Sequence, residues 1–438
     1  MSAPLRIGVA RATITPPVGI PLVGFAGRGP AIGRHDDLYA TALVAESGDY
    51  RAALITCDLL GLDADRVAEV RAEVARRQLM PAEHVMVCCT HTHYGPSVRM
   101  AHHGDPTPDV LAYTALLPFL LAGAVEEAAA ALREAKLGVG RGTCDIGINR
   151  RERMPDGSIR LGQNPEGPVD REVGVIRFDD ESGRPLATLI NFACHPVSQG
   201  GSMRLISADY PGRTRALVEE LTGAPCLFLQ GAGANINPRR MENDYESARQ
   251  QGTILACASM ETWERVSTSE ATGVAVASEV LELPALSFPS IEEGERQVSS
   301  LERQLANERE RGASAGSIFW TELRLKRARE RLESLRTGQP LPPIPGEVQA
   351  LRLGPVVFAS APGEIFNEIG RAVKDRSPVP DTFFLAYANG SVGYVPVPEA
   401  YAEGGYEVTH ACRVDPPAAP RIIEGCLHVV HAVRPPAA

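Results

Sequence analysis

The chain lacks several features that would settle its class at once. Its N-terminus, Met-Ser-Ala-Pro-Leu-Arg-Ile, has no apolar core of the kind a secretory leader carries. No apolar run approaches the roughly 20 residues that span a bilayer, so no stable membrane association is expected. An excess of positive charge is missing too. The net charge is -10 and is spread along the chain, which argues against a nucleic-acid partner. Cysteines number nine but form no C-x-x-C pair, and most of them (Cys57, Cys88, Cys89, Cys194, Cys226) lie in apolar runs. They read as small buried hydrophobes in a reducing compartment, and the expected location is cytoplasmic. The glycine-rich stretch Gly231 to Asn237 has no P-loop lysine and the wrong spacing for a dinucleotide fingerprint. Internal repeats and low-complexity linkers are also absent.

What is present suffices for a large core: 438 residues, 44% hydrophobic and 22% charged. Length alone suggests roughly two to three domains. The central stretch is Val85-Met86-Val87-Cys88-Cys89-Thr90-His91-Thr92-His93-Tyr94-Gly95-Pro96. If the strand continues through it, His91 and His93 point to one face and Thr92 to the other. Two imidazoles where a buried strand opens into a loop make half of a metal site. A pair of hydrogen-bonded strand-end histidines is the plainer alternative.

Around this stretch, strand-like and helical patterns alternate. Thr41 to Ala45 and Ala52 to Asp58 read as strands joined at Gly48-Asp49, and Asp65 to Arg77 as an amphipathic helix. An Ala-rich helix follows over 110–135, then strands and loops to Phe178. Ala187 to Pro196 repeats the theme of a buried strand ending in a histidine, His195. A helix from Tyr210 to Leu221 leads to the strand Cys226 to Leu229. This alternation predicts an α/β fold with a large mixed β-sheet core flanked by helices. Residues 291–338 differ: Val298, Leu301, Leu305, Leu325, Ala328, Leu332 and Leu335 keep a helical apolar stripe amid Glu and Arg, broken at Gly312 to Gly316. This predicts an inserted antiparallel helical hairpin, read as a lid, a contact for a homo-oligomer or a solvated spacer.

A catalytic zinc commonly takes three or four N, O or S ligands and leaves one position for water. Carboxylate and phenolate candidates stand at later strand ends. Glu364 follows Pro362-Gly363 at the start of a helix predicted over Ile365 to Val373, and Tyr394 follows Asn389-Gly390-Ser391-Val392-Gly393. Alone, each has an ordinary reading, as a first-turn helix acid and a core phenol. His102-His103-Gly104-Asp105 reads as a loop lining a pocket. Asp209 reads either as a partner of a metal-binding histidine or as a helix N-terminal acid. Asp36 and Asp37 read as a surface turn, and His410, His428 and His431 as structural.

Six ordered motifs carry a family resemblance. They are Thr90-His91-Thr92-His93-x-Gly95-Pro96; Asn149-Arg150; Phe192-x-x-His195-Pro196; Gln230-Gly231 with Asn237-Pro238; Pro362-Gly363-Glu364; and Asn389-x-x-x-Gly393-Tyr394 with Tyr406-Glu407. With the opening Gly8 to Pro17, the chain resembles the N-terminal catalytic domain of the neutral/alkaline non-lysosomal ceramidases. The resemblance covers all but the hairpin and implies a single catalytic domain over 1–438, with 291–338 inserted in it. It further implies one Zn²⁺ per chain, held by His91, His195, Glu364 and Tyr394, with His93, Arg150 and Tyr406 contacting the reacting group. The chemistry implied is attack of zinc-activated water on an amide carbonyl.

Two departures bear on the substrate. The family's Gly-Asp-x-Ser-Pro reads Ala234-Asn235-Ile236-Asn237-Pro238 here, and an Asn amide cannot serve as an alkoxide nucleophile. The family's C-terminal immunoglobulin-like domain and secretory leader are also not expected in this protein. The expectation is therefore a zinc-dependent amidohydrolase cleaving a linear, non-peptide amide of a soluble small molecule. Ester or lactone hydrolysis, a ceramidase proper acting on N-acylsphingosine, and a non-catalytic protein with structural zinc are the alternatives.

Overall fold

Short aliphatic runs separated by amphipathic helices fold, in this computed structural model, into three larger mixed sheets and, among the described residues, three smaller ones. The structure describes residues 3–99 and 106–435. The first sheet has the order Val85–Cys89, Tyr50–Cys57, Tyr39–Ser47, Arg6–Thr13, Arg133–Glu134. The second runs Cys226–Gln230, Pro185–Phe192, Glu172–Asp179, Lys136–Thr143, Ser269–Glu270. A third consists of Val274–Leu283, Ile344–Leu353, Val356–Ser360 and Thr382–Leu385. The expected α/β class is what forms, with the predicted single core divided among three sheets.

The sheets share one design. Each is antiparallel except for a terminal strand that pairs in parallel after a helical crossover: Val85–Cys89 on Tyr50–Cys57, Cys226–Gln230 on Pro185–Phe192, Thr382–Leu385 on Val356–Ser360. The crossovers are the helices Ala64–Arg76, Asp209–Thr222 and Asn367–Arg376. Such a connection brings the C-terminal ends of two neighbouring strands to the same side, where loops can converge on a ligand.

The sheets' inner faces meet in a common apolar centre that includes Leu43, Leu54, Met86, Phe178, Leu189, Leu227, Phe358 and Phe383, all fully buried. At roughly 1.5–3 kcal/mol for each such side chain removed from water, this contact is the main force joining the sheets. Polar stitches fix their relative positions. Asn191 Nδ2 donates to the Leu229 and Phe384 carbonyls at 2.9 and 3.1 Å. Asn389 accepts from the Val87 amide at 3.0 Å and donates its own amide to the Val87 carbonyl at 2.8 Å.

Helices cover the outer faces. One correction falls here: the helix Pro108–Ala130 is long and apolar enough, by length and composition, to cross a membrane. Its charges sit only near its ends, at Asp109, Glu126 and Glu127, so the run between them is longer than the sequence reading allowed. Half of its apolar window is buried, and Val110, Leu117, Leu121 and Val125 face the protein core.

Residues 291–338 hold the helices Ile291–Glu310 and Ala315–Thr337. Ion pairs Arg309–Glu322, Arg329–Glu302 and Arg336–Glu295 require them to run antiparallel. Leu301, Leu305, Leu325, Ala328 and Leu332 form their small private core with Phe288.

Candidate metal centre

The strand Val85–Cys89 stops two residues before His91, so strand alternation does not orient the two histidines. His91 adopts φ 68°, a left-handed conformation that is uncommon away from glycine. The turn itself aims both rings inward, and His93 Nε2 lies 3.4 Å from His91 Nε2. A buried ion pair holds the turn from behind. Arg215 donates to both oxygens of Asp58 at 2.9 and 2.6 Å, and Asp58 also accepts from Thr90 Oγ1 and the Tyr39 amide.

His195 arrives from the second sheet, three residues past the end of its strand. Its Nε2 is 3.2 Å from that of His91. Glu364 arrives from the third sheet and brings Oε2 to 3.4 Å from each of these nitrogens. Here the helix expected over Ile365 to Val373 starts later, at Asn367. Glu364 lies instead in a two-residue strand paired in parallel with Tyr394–Val395, with Glu364 and Tyr394 directly opposed. This ladder sets two of the candidate ligands side by side.

His91 Nδ1 donates to the Leu60 carbonyl and His195 Nδ1 to the Gly233 carbonyl, each at 2.6 Å. Both Nε2 atoms are therefore bare lone pairs. They face each other and Glu364 Oε2, a buried oxygen without a hydrogen-bond partner. Three such acceptors within 3.4 Å repel one another unless a cation lies among them. Donors about 2.0–2.1 Å from a tetrahedral ion stand roughly 3.3–3.4 Å apart, so the spacing fits zinc or an ion of similar size. Carbonyl-anchored imidazoles are also the usual second layer of such sites. His91, His93 and His195 are together close enough to hold an ion.

His93 differs from the other two. Its Nδ1 is buried without a partner, and its ring packs edge-on against Phe25 and abuts Gly24, where a Cβ would collide with it. Burial, with His91 and His195 adding to it, holds its pKa well below the usual imidazole value. Burial, with the charges of Arg150 and His91 adding to it, brings His195 to about 4. Burial alone would raise Glu364, but His91 and His195 hold it well below the carboxylate range.

Arg150 ties the outer members together. It donates to Tyr394 Oη at 3.0 Å and to Glu407 at 2.8 Å, while Arg151 takes the other Glu407 oxygen at 2.9 Å. Asn237, where the family carries serine, accepts a hydrogen bond from Arg150 at 3.4 Å. Tyr406 stands edge-on to Tyr394 with ring centroids 5.9 Å apart, and is 38% exposed, at the mouth of the site.

All seven candidates thus gather in one place. Sequence reading missed Tyr387, which stacks on His91 at 4.0 Å, and Arg28, which donates to the Val23 carbonyl beside the His93 turn. Position was the available signal for Tyr387, two residues before Asn389 at a strand end. Asp209 is not a partner of a metal-site histidine, because carbonyls fill that role. It begins the helix Asp209–Thr222 instead. Asp36 accepts from the Ala208 amide and Asp37 from Thr15 Oγ1, which ties their turn to the core. His102 and His103 lie outside the described residues.

This arrangement defines a class: a three-sheet α/β protein with a buried His/Glu/Tyr centre where the sheets' strand ends meet. The family model for neutral/alkaline non-lysosomal ceramidase, N-terminal, matches residues 5–227, and the chain belongs to that family. Neutral ceramidase of Drosophila pseudoobscura pseudoobscura is 26% identical over 238 residues, which is 50% of this chain and 32% of that one. The Drosophila melanogaster neutral ceramidase is 26% identical over 242 residues, 50% of this chain and 33% of that one. The match therefore spans about a third of the curated relatives. The crystal structure of neutral ceramidase from Pseudomonas aeruginosa superposes with a TM-score of 0.74 at 20% identity, covering 100% of this chain and 76% of that chain. A ceramidase complexed with C2 gives 0.75 at 18% identity, covering 100% and 77%. These two share the fold.

Proposed function

We propose that the chain is a hydrolase of ceramidase type, cleaving the amide bond of an N-acylated amine at a metal held by His91, His195, Glu364 and Tyr394. The observation that carries this reading is the meeting of two bare imidazole nitrogens and an orphaned carboxylate oxygen within 3.4 Å. Family membership supports ceramide-type amides as the reference substrates, ahead of a generic soluble amide. Zinc is the proposed ion, one per chain. When bound, it supplies a Lewis acid that lowers the pKa of a coordinated water.

The chain's own residues do the rest. Arg150, fixed by Glu407 and kept cationic, holds the Tyr394 phenol in place and offers positive charge where the carbonyl oxygen becomes negative. Tyr406, at the mouth, is placed to donate to that oxygen. His93 Nε2 faces the centre, where it would take the proton released by the attacking water and pass it to the amine nitrogen as the C–N bond breaks. Its unanchored Nδ1 suits a ring that changes protonation, whereas His91 and His195 are locked. Asn237 leaves no hydroxyl nucleophile at the family's serine position, so water itself is the attacking group.

The test is metal analysis of the purified protein, then hydrolysis of N-acylsphingosine and shorter N-acyl amides with and without chelator. The expected result is zinc near one per chain, with amine release abolished by chelator and by His195→Ala. Metal-free protein, or amide turnover unaffected by His195→Ala, would overturn it. Turnover of esters or lactones alone would transfer the same centre to the other carbonyl substrates.

A further inference from the structure

The helical hairpin does not stand apart from the site. At its tip, Ser314 lies 3.1 Å from where a Cβ on Gly27 would fall, beside the loop that presses on His93. Further along, its second helix and the segment after Tyr406 enclose a cavity of about 240 Å³. Arg324, Arg327 and Arg331 enter it from one face of that helix, at i, i+3 and i+7, and Arg413 enters from the catalytic side. Glu330 is the one carboxylate in the lining among the described residues. His410 also lines it, and stacks on Tyr406 at 5.3 Å, so the cavity opens one ring beyond the candidate oxyanion donor.

The opposing charges near these cations, Glu308 for Arg324, Glu330 for Arg327, Asp415 for Arg331 and Asp63 for Arg413, form no ion pair with them among the described residues. Arg324, Arg327 and Arg413 make no side-chain hydrogen bond or ion pair among the described residues, and Arg324 Nε is buried without a partner. Arg331 spends one nitrogen on the Ser287 carbonyl at 3.0 Å, its guanidinium lying over the Phe288 ring, while its Nε is buried and unpartnered. Burial lowers Arg327 to a pKa of about 10, and Arg413 and Arg99 beside it push the same way. Four half-buried guanidiniums with idle donors form a ready receptor for carboxylate, phosphate or sulfate.

We infer that this arginine-lined cleft receives an anionic group on the substrate, so that the preferred amide carries a carboxylate, phosphate or sulfate beyond Tyr406. The inference rests on the hydrolase reading above and deepens it. The hairpin is then the wall that selects the substrate's far end, while the metal centre cleaves the amide. Arg324, Arg327, Arg331 and Arg413 are specificity determinants and touch no reacting atom.

The experiment compares two chromogenic amides of similar length: the mono-p-nitroanilide of suberic acid, which ends in a carboxylate, and nonanoyl p-nitroanilide, which ends in a methyl group. The wild type should favour the charged amide by at least about tenfold in kcat/KM. Arg327→Gln should erase most of that preference through KM and leave the neutral amide unchanged, whereas Arg327→Lys should restore part of it. Equal rates for the two amides in the wild type, or an equal loss on both in Arg327→Gln, would overturn the inference. Calorimetric titration of the two anilides separates the two claims. If neither is hydrolysed, the hydrolase reading stands or falls on the N-acyl amide assay above, while tighter binding of the suberic compound, lost in Arg327→Gln, still supports the cleft. Indistinguishable binding of the two overturns it.

Discussion

Replacing Arg215 with methionine tests how the His91 turn is held. Arg215 and Asp58 are 3% and 0% exposed and joined by two hydrogen bonds. Removing one member of such a buried pair typically costs about 3–5 kcal/mol, because the other charge is left without compensation. In Arg215→Met, Asp58 keeps the Tyr39 amide and the Thr90 hydroxyl, so the lower half of that range, about 3–4 kcal/mol, applies. Asp58→Asn strands a buried guanidinium instead and should cost about as much. The double variant removes both charges and should fall short of the sum by at least about 1.5 kcal/mol. Equilibrium guanidinium unfolding, with excess EDTA in every sample, measures all four corners, since a metal bound only to the native form would add its own stabilisation. Metal affinity of Arg215→Met should also fall, because Thr90 precedes His91. A loss below about 1 kcal/mol in Arg215→Met, or simple additivity in the double variant, would refute this account of the turn.

Two further outcomes are expected. Tyr387→Phe should leave metal affinity and stability near wild type, because the buried Tyr387 hydroxyl has no partner, whereas Tyr387→Leu should weaken metal binding about tenfold by removing the ring stacked on His91. A metal titration showing the reverse order would contradict this. Asp209 is buried and its pKa is raised to about 7, chiefly by desolvation. Between its unfolded value near 4 and that value the native form holds the extra proton, so stability should fall as pH rises through this window, by up to roughly 4 kcal/mol. Asp209→Asn should flatten the profile, and unfolding curves at pH 4 and pH 8 that shift equally in both proteins would reject it.

The site was more legible in the sequence than the architecture that builds it. His91, His195 and Glu364 announce themselves because polar residues interrupt apolar runs at strand ends, and each interruption needs a reason. Their mutual approach is not local information. It follows from three sheets packing through one apolar centre, which no single run encodes. The division into three sheets was hidden for the same reason, since the patterns of Tyr50–Cys57 and Pro185–Phe192 are alike whichever sheet they join. The His91 geometry was misjudged because alternation was extended past the end of the strand, where a positive φ reorients the chain. The helix Tyr245–Glu264 escaped notice because its apolar stripe is broken at Gly252, which packs against the Tyr210 carbonyl.

The order in which the chain supplies the centre has a consequence for its biogenesis. His91 and His195 come from the first half of the sequence, while Glu364 and Tyr394 come from a ladder formed near its end. A nascent chain therefore carries His91, His93 and His195 well before the carboxylate and phenol of the centre have been made. Completion of the proposed ligand set is then a late event that depends on all three of these sheets. A truncated product ending before Glu364 would lack both the carboxylate and the phenol of the proposed ligand set.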